Sequence, residues 1–238
     1  MSGEPFSTWA GPVSLALGAE WRKEKVRGVT DDISQTTLWF AGNYLPTNGS
    51  YNVKEGFLET VVPLAKGEDF ADSLDLNAAV RFTDYSTSGF VTTWKVGATY
   101  SPIPDIRFRV TRSRDIRAPT LQDLFQAGTA NTNNVVDPFN GNVTTQYLAV
   151  RGGNLALRPE KADTTGFGVV LQPSFVPGLS ASVDYYNINM KDAIGQPSPQ
   201  TVVDRCFEGN QEFCDAITRG LSNGVSVIER IDIVPFNI

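Results

Sequence analysis

The sequence predicts an all-β fold: an antiparallel, up-and-down segment of a transmembrane β-barrel, about eight strands of a larger barrel, with long extracellular loops. Three observations carry that prediction. Stretches of roughly 9–11 residues, the length a tilted strand needs to cross a hydrocarbon layer, alternate apolar and polar side chains. The connections between them are of two kinds, short turns and very long polar segments. No run approaches the roughly 18 apolar residues of a helical span, so helical crossings are excluded.

The first predicted strand is Val13–Lys23. Val13, Leu15, Leu17, Ala19 and Trp21 form one face, and Ser14, Ala16, Gly18, Glu20 and Arg22 the other. A long polar segment, about Glu24–Lys54, follows. The second strand, about Glu55–Leu64, alternates poorly because Val61 and Val62 are adjacent. After a turn at Ala65–Asp72, Ser73–Tyr85 alternates most clearly. Leu74, Leu76, Ala78, Val80 and Phe82 oppose Asp75, Asn77, Ala79, Arg81 and Thr83. Ser86-Thr87-Ser88-Gly89 marks a tight hairpin into Val91–Tyr100. There Trp94, Val96, Ala98 and Tyr100 face away from Thr93, Lys95, Gly97 and Thr99. The proline-rich turn Ser101–Asp105 leads to Ile106–Arg114, with Ile106, Phe108 and Val110 out and Arg107, Arg109 and Thr111 in. The longest connection, about Arg117–Glu160, is rich in Asn, Thr, Gly and Pro, with one short helical turn expected near Thr120–Gln126. The sixth strand is Ala162–Leu171, followed by a turn at Gln172–Gly178. The seventh is Leu179–Met190, with Leu179, Ala181, Val183 and Tyr185 out. A further long polar segment holds both cysteines before an eighth strand, Val225–Val234.

In an up-and-down arrangement the three long segments and the Ser86 hairpin fall on one rim, and the Ala65, Pro102 and Gln172 turns on the other. Outer-membrane barrels segregate loop lengths in this way. Trp21 and Tyr185 near the long-loop ends, and Tyr100 at a short-turn end, fit aromatic girdles at the two interfaces.

Composition narrows the functional classes. The 238 residues carry a net charge of −6, which argues against a nucleic-acid partner. A hydrophobic fraction of 41% and a mean hydropathy of −0.17 do not demand a membrane, but barrel strands dilute their apolar residues with lumen-facing polar ones. Histidine is absent, which removes Ser-His-Asp and Cys-His catalysis and every histidine metal site. Asp69, Asp72 and Asp75 lack the spacing and glycine of a calcium loop and predict a solvated turn. No cofactor and no enzymatic activity are expected. Met1–Phe6 lacks the basic start and apolar run of a signal peptide. Taken with the strand pattern, that predicts a chain beginning inside a larger one.

Three segments resemble a known family. Ser113-Arg114-Asp115-Ile116-Arg117-Ala118-Pro119-Thr120-Leu121-Gln122-Asp123-Leu124-Phe125 is similar to the Arg-Ala-Pro-x-Leu-x-x-Leu-Phe run of TonB-dependent receptors, which closes a barrel strand and opens an extracellular loop. Gly153–Thr164 resembles the family's Asn-Pro-x-Leu-x-Pro-Glu-x-Ser/Ala segment, departing from it at Ala156 and Arg158. Ser182–Ile188 resembles the strand ahead of the next large loop. The resemblance implies a partial receptor barrel over residues 1–238, without the family's plug domain, TonB box and C-terminal strands. It implies a receptor and transporter of the Gram-negative outer membrane for energy-coupled uptake of a nutrient such as a siderophore, cobalamin or an oligosaccharide. The implied partners are the outer-membrane bilayer, the plug domain of the full-length chain, the TonB system acting through that plug, and a small nutrient.

On this reading Leu74, Leu76, Val80, Trp94, Phe108, Val183 and Tyr185 face lipid. Arg81, Lys95, Arg107, Arg109, Arg114 and Arg117 are lumen or ligand candidates, with Glu20, Arg22, Asp75 and Asp184 also on the lumen face. Near the rim, Arg112, Arg114 and Arg117 suit an anionic lipid or ligand. Trp39, Phe40 and Tyr44, with Tyr51, cluster in the first long loop, where aromatics stack on sugars or flat chelates or pack within the loop. Cys206 and Cys214, eight residues apart, suit a small disulfide loop in an oxidising compartment or two free cytosolic thiols, and the barrel favours the disulfide. The competing reading is a secreted, soluble all-β binding module with long recognition loops.

Overall fold

A computed structural model of the chain describes residues 1–36, 38–39 and 43–238. In chain order its strands are β1 (Ser2–Thr8), β2 (Gly11–Arg27), β3 (Asn43–Tyr44), β4 (Asn48–Glu68), β5 (Ala71–Tyr85), β6 (Gly89–Ile103), β7 (Ile106–Arg117), β8 (Thr129–Asp137), β9 (Val143–Arg151), β10 (Glu160–Leu171), β11 (Ala181–Lys191), β12 (Ile194–Gly195), β13 (Ile217–Ser222), β14 (Val225–Ile233) and β15 (Phe236–Asn237). Four short α-helices accompany them among the described residues: α1 (Asp32–Gln35), α2 (Leu121–Phe125), α3 (Pro199–Phe207) and α4 (Gln211–Asp215). The chain divides into two compact units. The first is Met1–Lys23, Asn52–Ala118 and Pro159–Asp192; the second is Glu24–Tyr51, Pro119–Arg158 and Ala193–Ile238.

The first unit is built on one eight-stranded sheet in the order β1-β2-β4-β5-β6-β7-β10-β11. Its ladders are antiparallel wherever their register is defined. The sheet is open, with β1 and β11 as its edges. The alternating stretches all become strands, and most run several residues beyond their apolar cores. The β4 irregularity has a local cause. Pro63 cannot donate to a ladder, and the register shifts between Pro63 and Ala65. The β5–β6 hairpin turns on Ser86–Ser88 and re-enters the sheet at Gly89, whose φ of 79° favours glycine. The edge strand β1 escaped prediction. Its sequence SGEPFST has no alternation, and its register slips across Pro5, between Gly3 and Phe6.

Register sorts the side chains of this sheet onto two faces. Directly paired residues share a face, so Leu74–Tyr100–Phe108–Val169–Val183 forms one continuous apolar row. Leu76–Ala98–Val110–Phe167–Tyr185 forms the next. Tyr100, Phe108 and Phe167 stack in sequence at 6.4 and 6.5 Å. This face lies bare: Val183 is 74% exposed, and Phe82, Val96, Val110 and Phe167 are exposed too. A soluble module would bury such a surface, so the competing reading loses its support here.

The second unit corrects the expectation that the long connections are structureless. It holds a five-stranded sheet, β13-β14-β9-β8-β3, and the two-stranded ladder β12–β15. Val225–Val234, expected as the next barrel strand, instead forms β14, antiparallel to β13 and parallel to β9. Val202, Val203, Phe213, Ile228, Ile231 and Ile233 form a buried core with α3 and α4. A bulge is what lets β14 contribute twice. Thr218 and Arg219 are consecutive on β13 but pair with Arg230 and Ile228, so Glu229 is the extra residue and Ile228 and Ile231 both turn inward. Cys206 and Cys214 are joined by a disulfide that clamps α3 to α4. The helical turn expected near Thr120 is α2, capped by reciprocal bonds between Thr120 and Asp123.

Ile231→Ala is expected to cost this core about 2–5 kcal/mol, read as faster hydrogen exchange of the β9, β13 and β14 amides.

Candidate functional site

The polar face of the eight-stranded sheet carries the candidate site. Its best-buried charge is Glu55 on β4, whose side chain is only 7% exposed. Arg22 on β2 and Arg81 on β5 reach it from either side at 3.4 and 3.3 Å. Thr83 Oγ1 donates to its second oxygen at 3.4 Å, and the Arg81 guanidinium lies 5.2 Å over the Phe57 ring. Glu55 was missed in the sequence because β4 alternates poorly, so its register against Arg81 could not be read there.

Arg109 and Asp184 form a second unit of this wall. They stand on β7 and β11, with β10 between them, and both pair with Gly168. Arg109 Nε donates to Asp184 Oδ1 at 2.8 Å and Nη2 to Oδ2 at 2.5 Å. A Cβ at Gly168 would lie 2.0 Å from Asp184 Oδ1 and 2.7 Å from Arg109 Nε. The glycine is therefore what allows the fork to close across the intervening strand. Gly97 serves Asn77 and Thr111 likewise, with an added Cβ 2.9 and 3.1 Å from them.

The remaining predicted residues separate clearly. Arg117 forks onto Glu160, its direct partner across β7–β10, with both bonds at 2.7 Å. Arg107 Nε donates to Ser101 Oγ at 3.5 Å. Lys95 stands on the polar face opposite Ser113 and Ala79, beside Glu59 and Asn77 in a cleft of about 260 Å3. Neither Lys95 nor Arg107 has a carboxylate partner among the described residues. Asp75 lines a larger cleft of about 520 Å3 near the short turns, with Lys66 and Asp72. Arg114 differs from the others. It pairs directly with Trp94 and Asp163 and so stands on the apolar face, where it forks onto Asp163 at 2.8 and 2.9 Å. The alternation of β7 continues past Val110 and carries Arg112 and Arg114 onto that side.

The loop aromatics belong to the second unit. Trp39 and Tyr44 are exposed, and Phe40 lies outside the described residues. Tyr51, by contrast, is buried and donates through its hydroxyl to Glu24 at 2.7 Å. Trp39 Nε1 donates to Asp31 Oδ1 at 3.4 Å, and Asp31 also accepts from the Ser34 hydroxyl and amide. The Ser34 hydroxyl, then its amide, hold the Asp31 carboxyl below the usual carboxylate range.

Two of the three family-like segments meet here. The Gly153 amide donates to the Gln126 carbonyl and the Asn154 amide to the Asp123 carbonyl, each at 2.8 Å. A Cβ at Gly153 would lie 2.4 Å from the Leu124 carbonyl. Phe125 in turn covers Gly49, where a Cβ would fall 2.0 Å from its ring. These segments thus act as a structural lock between distant parts of the second unit.

With that architecture in view, the comparisons with known proteins agree. Residues 2–224 match the family model described as TonB dependent receptor-like, beta-barrel. The chain belongs to this family, whose members are transporters of the Gram-negative outer membrane rather than enzymes. Comparison with curated proteins finds no match. Among solved structures, the siderophore receptor PirA from Acinetobacter baumannii superposes with a TM-score of 0.63 at 18% identity, over 98% of this chain and 31% of that one. A variant of the ferric enterobactin receptor PfeA from Pseudomonas aeruginosa, in complex with enterobactin, gives 0.59 at 19% identity, over 81% and 26%. PirA from Pseudomonas aeruginosa gives 0.56 at 15% identity, over 95% and 34%. The chain spans about a third or less of each of these structures.

Glu55→Gln is expected to cost about 2 kcal/mol, since it weakens charged hydrogen bonds in a largely buried site. Asp184→Asn, in an ion pair almost half exposed on both sides and screened by solvent, should cost clearly less than Glu55→Gln. Urea unfolding of the receptor in detergent measures both.

Proposed function

We propose that this chain is part of the wall of an outer-membrane receptor that imports a small nutrient with energy supplied through TonB. One observation carries the reading: a single sheet presents a bare apolar face and an ion-paired polar face, held apart by ladders whose register runs without a shift between β5 and β6 and from β7 through β10 to β11. The apolar face, including Leu74, Leu76, Val80, Trp94, Phe108, Val183 and Tyr185, meets lipid. The polar face lines the lumen, where the plug of the full-length chain sits. The two open edges support this reading, because strands in lipid need paired neighbours on both sides. Further strands of the same barrel supply them.

The ligand class favoured is an anionic iron chelate. The named solved structures are siderophore receptors, and Lys95 and Arg107 offer lumen cations without a carboxylate partner among the described residues. A cobalamin or an oligosaccharide is the competing cargo. In transport no bond is broken. The wall holds polar contacts weak enough to exchange, and the fixed charges of Glu55, Asp184 and Glu160 keep its arginines in place.

Two experiments test the proposal. A strain lacking the full receptor should lose growth on one supplied iron chelate under iron limitation, and keep it on cobalamin or oligosaccharides. Normal growth on every single-nutrient source overturns the reading. Val80→Arg and Val183→Arg should each destabilise the full barrel in lipid vesicles by about 2–4 kcal/mol if they lie at mid-membrane depth, and Arg109→Val by less. Equal tolerance of all three in urea unfolding removes the assigned faces.

A further inference from the structure

The apolar face changes character before its strands end. On β7, β10 and β11 its last apolar row is Val110, Phe167 and Tyr185. The next rows on the same face read Arg112–Thr165–Asn187, Arg114–Asp163–Asn189 and Ile116–Lys161–Lys191. Arg112, Lys161 and Lys191 are exposed. Arg114 is forked onto Asp163, and the charges of Arg112 and Lys191 act on the same carboxylate. Three cations therefore act on one acid, and Lys161 adds a fourth positive charge to these rows. The ladder sets Lys161 directly opposite Lys191, and like charges so placed repel unless an anion joins them. Arg112 donates to the neutral Thr165 Oγ1, which leaves guanidinium donors unused among the described residues.

We propose that this patch binds the phosphate-bearing headgroup of an outer-leaflet lipid. The inference rests on the reading that the apolar face meets lipid, and deepens it. The cations lie two to six residues beyond the aromatic row, about 7–20 Å along the strands. A strand tilt near 45° reduces that to about 5–14 Å of height above the hydrocarbon. That is headgroup depth, and lysine stems reach back across the remainder. The chemistry matches. A guanidinium fork donates to phosphate oxygens in pairs, two ammonium groups add point charges, and the Asn187 and Asn189 amides supply neutral donors beside them. Trp94, the direct partner of Arg114, marks the interface beside the cations, and Tyr185 marks it below them.

The test uses the full-length receptor embedded in nanodiscs of neutral phosphatidylcholine, titrated with fluorescent bisphosphorylated lipid A. The triple variant Arg112→Gln, Lys161→Gln, Lys191→Gln should bind on the order of 100-fold more weakly, at about fivefold per cation. Dephosphorylated lipid A should bind the wild type as weakly as the variant binds the phosphorylated form. Inorganic phosphate at matched concentration should not displace the lipid. Unchanged affinity of the variant overturns the proposal. So does equal binding of the dephosphorylated lipid, or ready displacement by inorganic phosphate, which would make the patch a simple anion site. If the triple variant does not assemble, Lys191→Gln on the exposed edge strand carries the same expectation at about fivefold. A wild-type receptor that embeds normally but ignores the phosphates refutes the patch alone. One that fails to embed in neutral discs refutes the lipid-facing assignment beneath it.

Discussion

The two faces of the eight-stranded sheet depend on a period-two register that runs without a shift between β5 and β6 and from β7 through β10 to β11. From Leu171↔Ile106 to Glu160↔Arg117, and from Ser73↔Ser101 to Tyr85↔Gly89, no residue is inserted or skipped. A slip of one residue would carry Arg107 and Arg109 onto the side of Phe108, and Phe108 onto theirs. The resolved irregularities, at Gly3/Phe6, Pro63/Ala65 and Tyr100/Ile103, all sit toward the short-turn ends of their strands. There a strand can bend without mixing the faces of its central stretch.

Keeping the faces separate also decides how charges can be held. On a pleated surface, side chains of strands two apart are normally screened from each other by the strand between. Gly168 removes that screen and lets Arg109 reach Asp184. Glu55 achieves a similar span by collecting Arg22 and Arg81 from both flanks. The wall is thereby cross-braced laterally by ion pairs as well as by its ladders, while Lys95 and Arg107 are left outside the bracing.

Much of this was legible in the sequence. Ser73–Tyr85 and Ile106–Arg114 declare both period and facing, because each alternates through its apolar stretch with Ala79 alone as a small apolar residue on the polar side. β1 was invisible because an edge strand with a proline and a slipped register needs no pattern. The second unit was invisible for a different reason. TANTNNVVD reads as loop by propensity, and VTTQYLAVR, though rich in strand formers, lies within a long Asn-, Thr-, Gly- and Pro-rich connection; they become β8 and β9 through pairing with each other and packing against a core supplied mainly by residues beyond 200. Of the site, the cations were readable from alternation, but their acidic partners Glu55, Glu160 and Asp163 required the cross-strand alignment. Arg114 shows the limit of naming a face by its chemistry: parity continues where hydrophobicity stops.

The two margins of the large sheet are not equivalent. At β1 the backbone is interrupted by Pro5, which has no amide hydrogen, and by the shift beside it. At β11 an eleven-residue ladder runs straight from Ala181 to Lys191, fully exposed on its outer side. A newly arriving polypeptide thus meets one blunted margin and one ready template. Accretion, whether of a legitimate neighbour or of a stray segment from another molecule, has a direction built into it, and the charges of Asp184 and Lys191 temper the receptive side.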